Sequence, residues 1–561
     1  MNKAAKILVV IAGVLLLAGC SSLLPVSGEP QAVPFPETKA SEVKLNAQGP
    51  AKGASAEELI TGFLRASAAG VSDDFTVARQ FLTAEAAASW DPTAQVRLYP
   101  DNQSPALSRS SSGAVRVSVA ALATLDNSGI LTNSATDSII SGEFSLVRNV
   151  DGEWRIAVLD DGITMPSAVF QSQFEESLVY YLTVDRTALV PTVHWFPRNS
   201  APTLAAESLI KGPPAWLSDA VRTAVPVGTT LATPAVKVEE GVATVDLSVE
   251  ASQMTQANLD LLYAQFTKTL TELSSIQDVR LSAAGAELSQ PNQKDLPSYP
   301  YSNYPLLALA DGVPARVTGS QVEPLVAAPA VTGLGLTAIT SGYDEQPRNI
   351  VGLGTNGLYR ISVDNSAVTQ LLAGSTLAQP SMDTSGWVWT GAKNSAGTLN
   401  AINVSTGENI RVPANWLNGA ELQSLRVSRE GARIVVTYRK DDATNLGVAA
   451  IVRDEAGRPL RIGEVVPFGQ RLAEVTDLAW IAESKLMILA RPKTGSEFNL
   501  QLVTIGSVSR TVSEPDNPVS LTGGLGLESV VLAVQNGSLF RYDGGGWRVI
   551  ANEVTAPALP G

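Results

Sequence analysis

The sequence predicts a multidomain chain in which two α+β domains are followed by an all-β propeller. Three observations carry that expectation. The chain has 561 residues, and at about 100–150 residues per domain such a length divides into several cores. Helical periodicity runs through the first half and disappears from Tyr301 onward. From there short apolar stretches recur at 336–339, 380–382, 425–428, 478–481 and 518–521. Their spacing of roughly 40–50 residues is that of propeller blades, each of about four strands.

The N-terminus carries Lys3 and Lys6 ahead of an apolar run at 7–18. At about 1.5 Å per residue this run is too short to cross a hydrocarbon core of about 30 Å, so it reads as the apolar centre of a signal peptide spanning residues 1–19. It ends in Leu17-Ala18-Gly19-Cys20, which resembles a bacterial lipobox, and Cys20 is the chain's single cysteine. The resemblance implies diacylglycerol on the Cys20 thiol, cleavage just before it, and an N-acyl chain of the palmitate type. Two or more acyl chains, at about 0.8 kcal/mol per buried CH₂, anchor a protein stably in a membrane. Residues 20–54 then read as a lipidated tether, because Pro25, Pro30, Pro34, Pro36 and Pro50 alternate with Gly28, Gly49 and Gly53 and no apolar period appears. As a flexible coil such a stretch reaches about 30–35 Å.

The first α+β domain is expected over 55–190. Ser55 and Glu58 form a capping-box pattern, and Leu59, Ile60, Phe63 and Leu64 share one helical face that Gly70 ends. A second helix is expected to carry Phe75, Ala78, Phe81 and Leu82. Strands follow at 114–119, 139–147 and 153–159, with Asp151-Gly152 as a hairpin turn. Helices first and a twisted antiparallel sheet after them resemble an NTF2-like cone.

The second domain is expected over 191–290. Leu204, Leu209 and Ile210 make a helix face closed by Gly212-Pro213-Pro214. A hairpin through Glu240-Gly241 leads into a strand at 242–248, and Leu259, Leu262, Phe266, Leu270 and Leu273 form the stripe of a long helix before a closing strand at 278–281. The segments Lys211-Gly212-Pro213, Ala224-Val225-Pro226 and 241–248 are similar to the GerMN domain of spore-germination and cell-envelope proteins. That resemblance implies a mixed α/β module without catalytic residues.

The β-rich part, 300–561, has length for five or six blades, with a two-sheet sandwich as the alternative fold. The stretch Leu306 to Val317, with its Asp311-Gly312 turn, is expected to pair with the final strand at 547–550 and close the ring. Gly352, Gly354 and Gly357 match a dinucleotide-binding fingerprint in spacing, but an alternating strand follows where a helix is required, so they mark a hairpin. Trp387, Trp389, Trp416, Trp480 and Trp547 recur about once per repeat and read as blade core.

Composition narrows the chemistry. Forty Lys and Arg against 54 Asp and Glu give a net charge of −14, which argues against nucleic acid as a partner. One histidine and one cysteine leave no multi-histidine metal centre and no intrachain disulfide. His194, between valines and aromatics, reads as a satisfied structural residue. The acidic pairs Glu239/Glu240 and Asp441/Asp442 are adjacent in sequence; in a strand, neighbours face opposite sides, so they read as solvated turns. No catalytic, cofactor-binding or metal-binding residue is expected, no cofactor is expected, and Cys20 is the one modification site.

Taken in order, these parts resemble the LpqB family of actinobacterial lipoproteins. The most specific segments are 62–67, 78–83, Leu189-Val190-Pro191 with Trp195-Phe196-Pro197, the GerMN-like segments, and 427–433 (Val-Ser-Arg-Glu-Gly-Ala-Arg). The resemblance implies a non-enzymatic lipoprotein on the extracytoplasmic face of the cell membrane. It also implies that the protein engages the extracellular region of an MtrB-like sensor histidine kinase, within two-component signalling tied to cell division and envelope upkeep. The alternative, from another class, is a binder or hydrolase of envelope glycan or peptidoglycan that works through the propeller.

Overall fold

The computed structural model describes residues 47–561, apart from 111–112, 136, 293–295, 298–303, 395–396, 441, 471 and 508. The expected signal peptide, Cys20 and the expected tether as far as residue 46 lie outside the described residues. The last residues of the expected tether are not free spacer. Ala47 packs on the first core, and the Gly53 amide donates to the Glu153 carboxylate at 2.8 Å.

The first domain starts with the helix Ala56–Ala69, and its capping box is formed: the Glu58 amide donates to Ser55 Oγ and the Ser55 amide to Glu58 Oε2. Leu59, Ile60, Phe63 and Ala66 are buried from this helix. Gly70 is required by a close approach, since a Cβ there would lie 2.5 Å from the Phe75 ring. Asp74 and Phe75 both take left-handed backbone (φ 53° and 57°), which turns Phe75 back into the core, edge-on to Trp90. The expected second helix is therefore reduced to the single turn Thr76–Arg79. Helical geometry ends at Phe81 and Leu82 because the backbone flanking Leu82 is taken by Ile156, through bonds of 2.9 Å from Ile156 N to Phe81 O and from Thr83 N to Ile156 O. Instead of one antiparallel sheet there are two four-stranded sheets, and in one of them Gln95–Tyr99 runs parallel to Ile163–Pro166.

The second domain begins before the expected border at 190. Phe174–Thr183 and Leu189–Pro197 are the two arms of one hairpin, in register from Phe174↔Pro197 to Leu182↔Leu189, so a border at 190 would cut it. The first arm also seals onto the helix Gln256–Thr271. Gln265 Nε2 donates to Tyr180 O at 2.8 Å, and Thr269 Oγ1 accepts from Tyr180 N at 3.1 Å, both fully buried. That helix is the crossover between the parallel strands Val242–Leu247 and Asp278–Ala283, and its stripe of Leu259, Leu262, Phe266 and Leu270 is core.

The C-terminal part is a propeller of six sheets among the described residues, five of four strands and one, blade 4, of five, because Val466–Pro467 also pairs with Ala443–Arg453. Blades 2 to 6 follow in chain order over 338–373, 381–413, 421–462, 474–512 and 518–551. Blade 1 combines Leu306–Ala310, Val313–Thr318 and Gln321–Pro324 with the last strand, Val554–Ala558. The closing strand is therefore not the one at 547–550: Trp547–Ala551 is the outer strand of blade 6, paired with Leu539–Tyr542. Val554 and Ala558 are buried, as an innermost strand packed between blades requires. The glycine fingerprint is a two-residue hairpin, Thr355-Asn356, between the paired Gly354 and Gly357. Trp387, Trp389 and Trp480 are buried blade core, and Trp416 and Trp547 pack partly buried against blade cores.

Candidate functional site

Blade 4 turns from Glu421–Val427 into Arg433–Lys440 through a tight loop in which Gly431 is left-handed. The Ser428 amide donates to Arg433 O at 2.8 Å and Ser428 Oγ accepts from the Arg433 amide at 3.1 Å. This geometry aims the Arg433 guanidinium inward. It pairs with Glu430 at 2.7 Å, donates to Glu483 O of blade 5 at 2.8 Å and to Pro191 O of the second domain at 3.4 Å, and lies 5.1 Å from the Trp480 ring. Both partners of the ion pair are almost fully buried. Beside it, the Tyr180 phenol donates to the Glu483 carboxylate, and burial pushes its pKa well above the ordinary tyrosine value. Ala432 and Ala450 of blade 4 sit inside the second domain's apolar cluster, and Trp216 packs on that cluster and on the blade 4–5 core. The second domain and the propeller thus share a continuous core. The segment 427–433, the propeller's most distinctive stretch, forms that joint.

A cleft of about 1060 Å³ lies between the first and second domains. Its floor includes Leu125, Phe174 and Phe196, one wall is the turn at Asp73–Phe75, and another is the helix Ala201–Lys211. His194 stands at its base. Ser128 O, 2.9 Å from Nδ1, can only accept, so Nδ1 carries the proton and Nε2 faces Thr192 Oγ1 at 3.0 Å. Burial holds the His194 pKa below the usual histidine value. A neutral imidazole with both nitrogens engaged is a strut between domains, in agreement with its expected structural role.

The propeller axis holds a smaller cavity of about 270 Å³. Arg426 donates there to Asp477 at 2.8 Å and to Gln379 at 2.7 Å. Asp477 also accepts from the amides of Leu478 (2.9 Å) and Leu521 (3.1 Å), and its burial raises its pKa. These groups tie blades 3 to 6 to one another around the axis.

Cys20 and Asp441 lie outside the described residues. Glu239 pairs with Lys237 on an exposed strand, and Glu240 is left-handed in the turn that follows, so the pair is the expected solvated hairpin. Among the described residues no group of three His, Cys, Asp or Glu side chains is placed to hold a metal ion. No described helix is long and apolar enough to cross a membrane. Tyr180, Glu483 and the cleft residues Asp74 and Glu207 were invisible as a set in the sequence. Their spacing carries no periodic signal, because each comes from a different element.

Three segments match known families: 49–171 the family described as "Lipoprotein LpqB, N-terminal domain", 178–289 that described as "Sporulation and spore germination", and 312–560 the "Lipoprotein LpqB beta-propeller domain". The first two matches leave a gap that contains the start of the 174–183 strand. The Lipoprotein LpqB of Cutibacterium acnes is 27% identical over 600 residues, covering 98% of both chains. That of Streptomyces avermitilis is 24% identical, covering 98% of this chain and 97% of the other. Among solved structures, the first GerMN domain of the sporulation protein GerM from Bacillus subtilis is 26% identical, covering 22% of this chain and 97% of that one, with a TM-score of 0.19.

Proposed function

Because the chain belongs to the LpqB lipoprotein family, we propose that it is an extracytoplasmic accessory protein, held on the membrane by lipid chains on Cys20. In this reading it binds the extracellular region of an MtrB-like sensor histidine kinase and modulates signalling in envelope upkeep and cell division, without catalysis of its own. The observation that carries the reading is the joint at Arg433. Two domains whose apolar cores merge, with the buried Arg433 of the propeller reaching Pro191 O of the second domain, present one continuous surface, a property of binding scaffolds more than of domains that close on a substrate. Supporting it, the charged groups at the propeller axis are engaged with one another.

The test is capture of the kinase's extracellular region by the mature lipidated chain in detergent. Saturable binding at micromolar or tighter affinity is expected. Absence of binding, or turnover of peptidoglycan fragments by the same preparation, overturns the reading.

A further inference from the structure

We infer that the cleft between the first and second domains is the docking site for an extended peptide segment of the partner that carries Lys or Arg beside apolar side chains. The inference rests on the kinase-binding reading above and names the surface that serves it. Size and shape come first. At about 1060 Å³ the cleft is at the upper limit of small-molecule pockets and open to solvent, which suits a chain that enters and leaves. The lining then sets the chemistry. Leu125, Phe174 and Phe196 give an apolar floor, and Phe75 adds a ring at the wall. Around them stand four acidic side chains, Asp73, Asp74, Asp126 and Glu207, against one lysine, Lys211, which donates to Ser128 Oγ at 3.2 Å. His194 adds no charge near neutral pH, because burial favours its neutral form. The complement of such a surface is an apolar segment with a basic residue.

The site is also preformed. The hairpin that bears Asp126 is fixed to the floor by the bond from Trp195 N to Gly129 O at 2.8 Å and by the His194 contact to Ser128 O. The Asp126 carboxylate is itself held by the amides of Ser128 and Ile130. A segment entering the cleft meets walls that need little ordering, which lowers the cost of binding. Asp74 and Glu207 are exposed on opposite walls, one from each domain, so both can be changed without disturbing either core.

The experiment measures binding of the kinase's extracellular region, and of overlapping synthetic 12-residue peptides from it, to the mature lipidated chain and to the D74N/E207Q variant. An unchanged thermal unfolding curve verifies that the variant folds. Wild-type binding that weakens with added salt, loss of at least tenfold in affinity in the variant with a flatter salt dependence, and competition by peptides with adjacent basic and apolar residues support the inference. Equal binding by wild type and variant overturns it and leaves the kinase reading standing. Competition by spermine but by no peptide overturns the peptide as occupant. Failure of the wild type to bind the extracellular region at all overturns the kinase reading and the inference with it.

Discussion

Arg433 and His194 illustrate two ways in which a single side chain holds domains together here. Arg433 is a buried cation whose carboxylate partner, Glu430, is also buried. Removing one member of such a pair strands the other in a low-dielectric interior, at a cost of about 3–5 kcal/mol. Arg433→Ala is therefore expected to destabilise the joint between second domain and propeller by that order, measured by urea unfolding, and Glu430→Gln with Arg433→Met to recover part of the loss. His194 acts through its neutral form. Its pKa is depressed in the fold by burial, whereas the unfolded chain takes up a proton near the ordinary value of about 6.5. The unfolded state thus binds more protons between the depressed value and about 6.5, so the stability His194 contributes is present above that pH and is lost as pH falls through the window. The unfolding midpoint of the wild type should fall more steeply between pH 7 and 5 than that of His194→Gln. Parallel pH profiles would refute the strut.

At the scale of elements, strands were legible where alternation was strong, and helices where a stripe and a cap coincided. The helix Ala56–Ala69 follows directly from Ser55, Glu58 and its apolar face. The second expected helix fails because its residues have better partners in three dimensions: Trp90 for the Phe75 ring, and Ile156 for the Phe81 and Thr83 backbone on either side of Leu82. Local spacing has no access to that competition. The closing strand differs from the expected one for a related reason. Both 547–551 and 554–558 look like terminal strands, and only the ring decides that the latter fills the gap beside Leu306–Ala310. Val554→Asp, which buries a carboxylate in that seam, is expected to raise amide hydrogen exchange across 306–310 by at least tenfold while blade 4, at 433–440, keeps its protection. Uniform loosening of all six blades would mean that the seam is not the locus of closure.

For the whole molecule, the anchor and the charge act together. The proposed cleavage before Cys20 removes two lysines and no acid, leaving 38 basic against 54 acidic residues, a net charge of −16. In the proposed reading, such a body is repelled by an anionic leaflet and stands off it, while lipid on Cys20 keeps it within tether reach. Cys20→Ser is expected to move the protein from the membrane fraction to the soluble fraction on cell fractionation. Retention in the membrane fraction would require another anchor.

Patterning along the chain was enough to identify the stripe of the long helix and the blade-length repeat, because each is written along the chain itself. The uses of 427–433, of the strand at 174–183 and of the facing acids Asp74 and Glu207 emerged only with the fold. The segment 427–433 is distinctive in the sequence, yet nothing local states that Arg433 will meet Pro191, some 240 residues away. A buried charge is tolerable only where distant chain supplies its partners, and a cleft exists only where two separately built cores fail to fill the space between them. Both depend on contacts between elements, which no local period encodes.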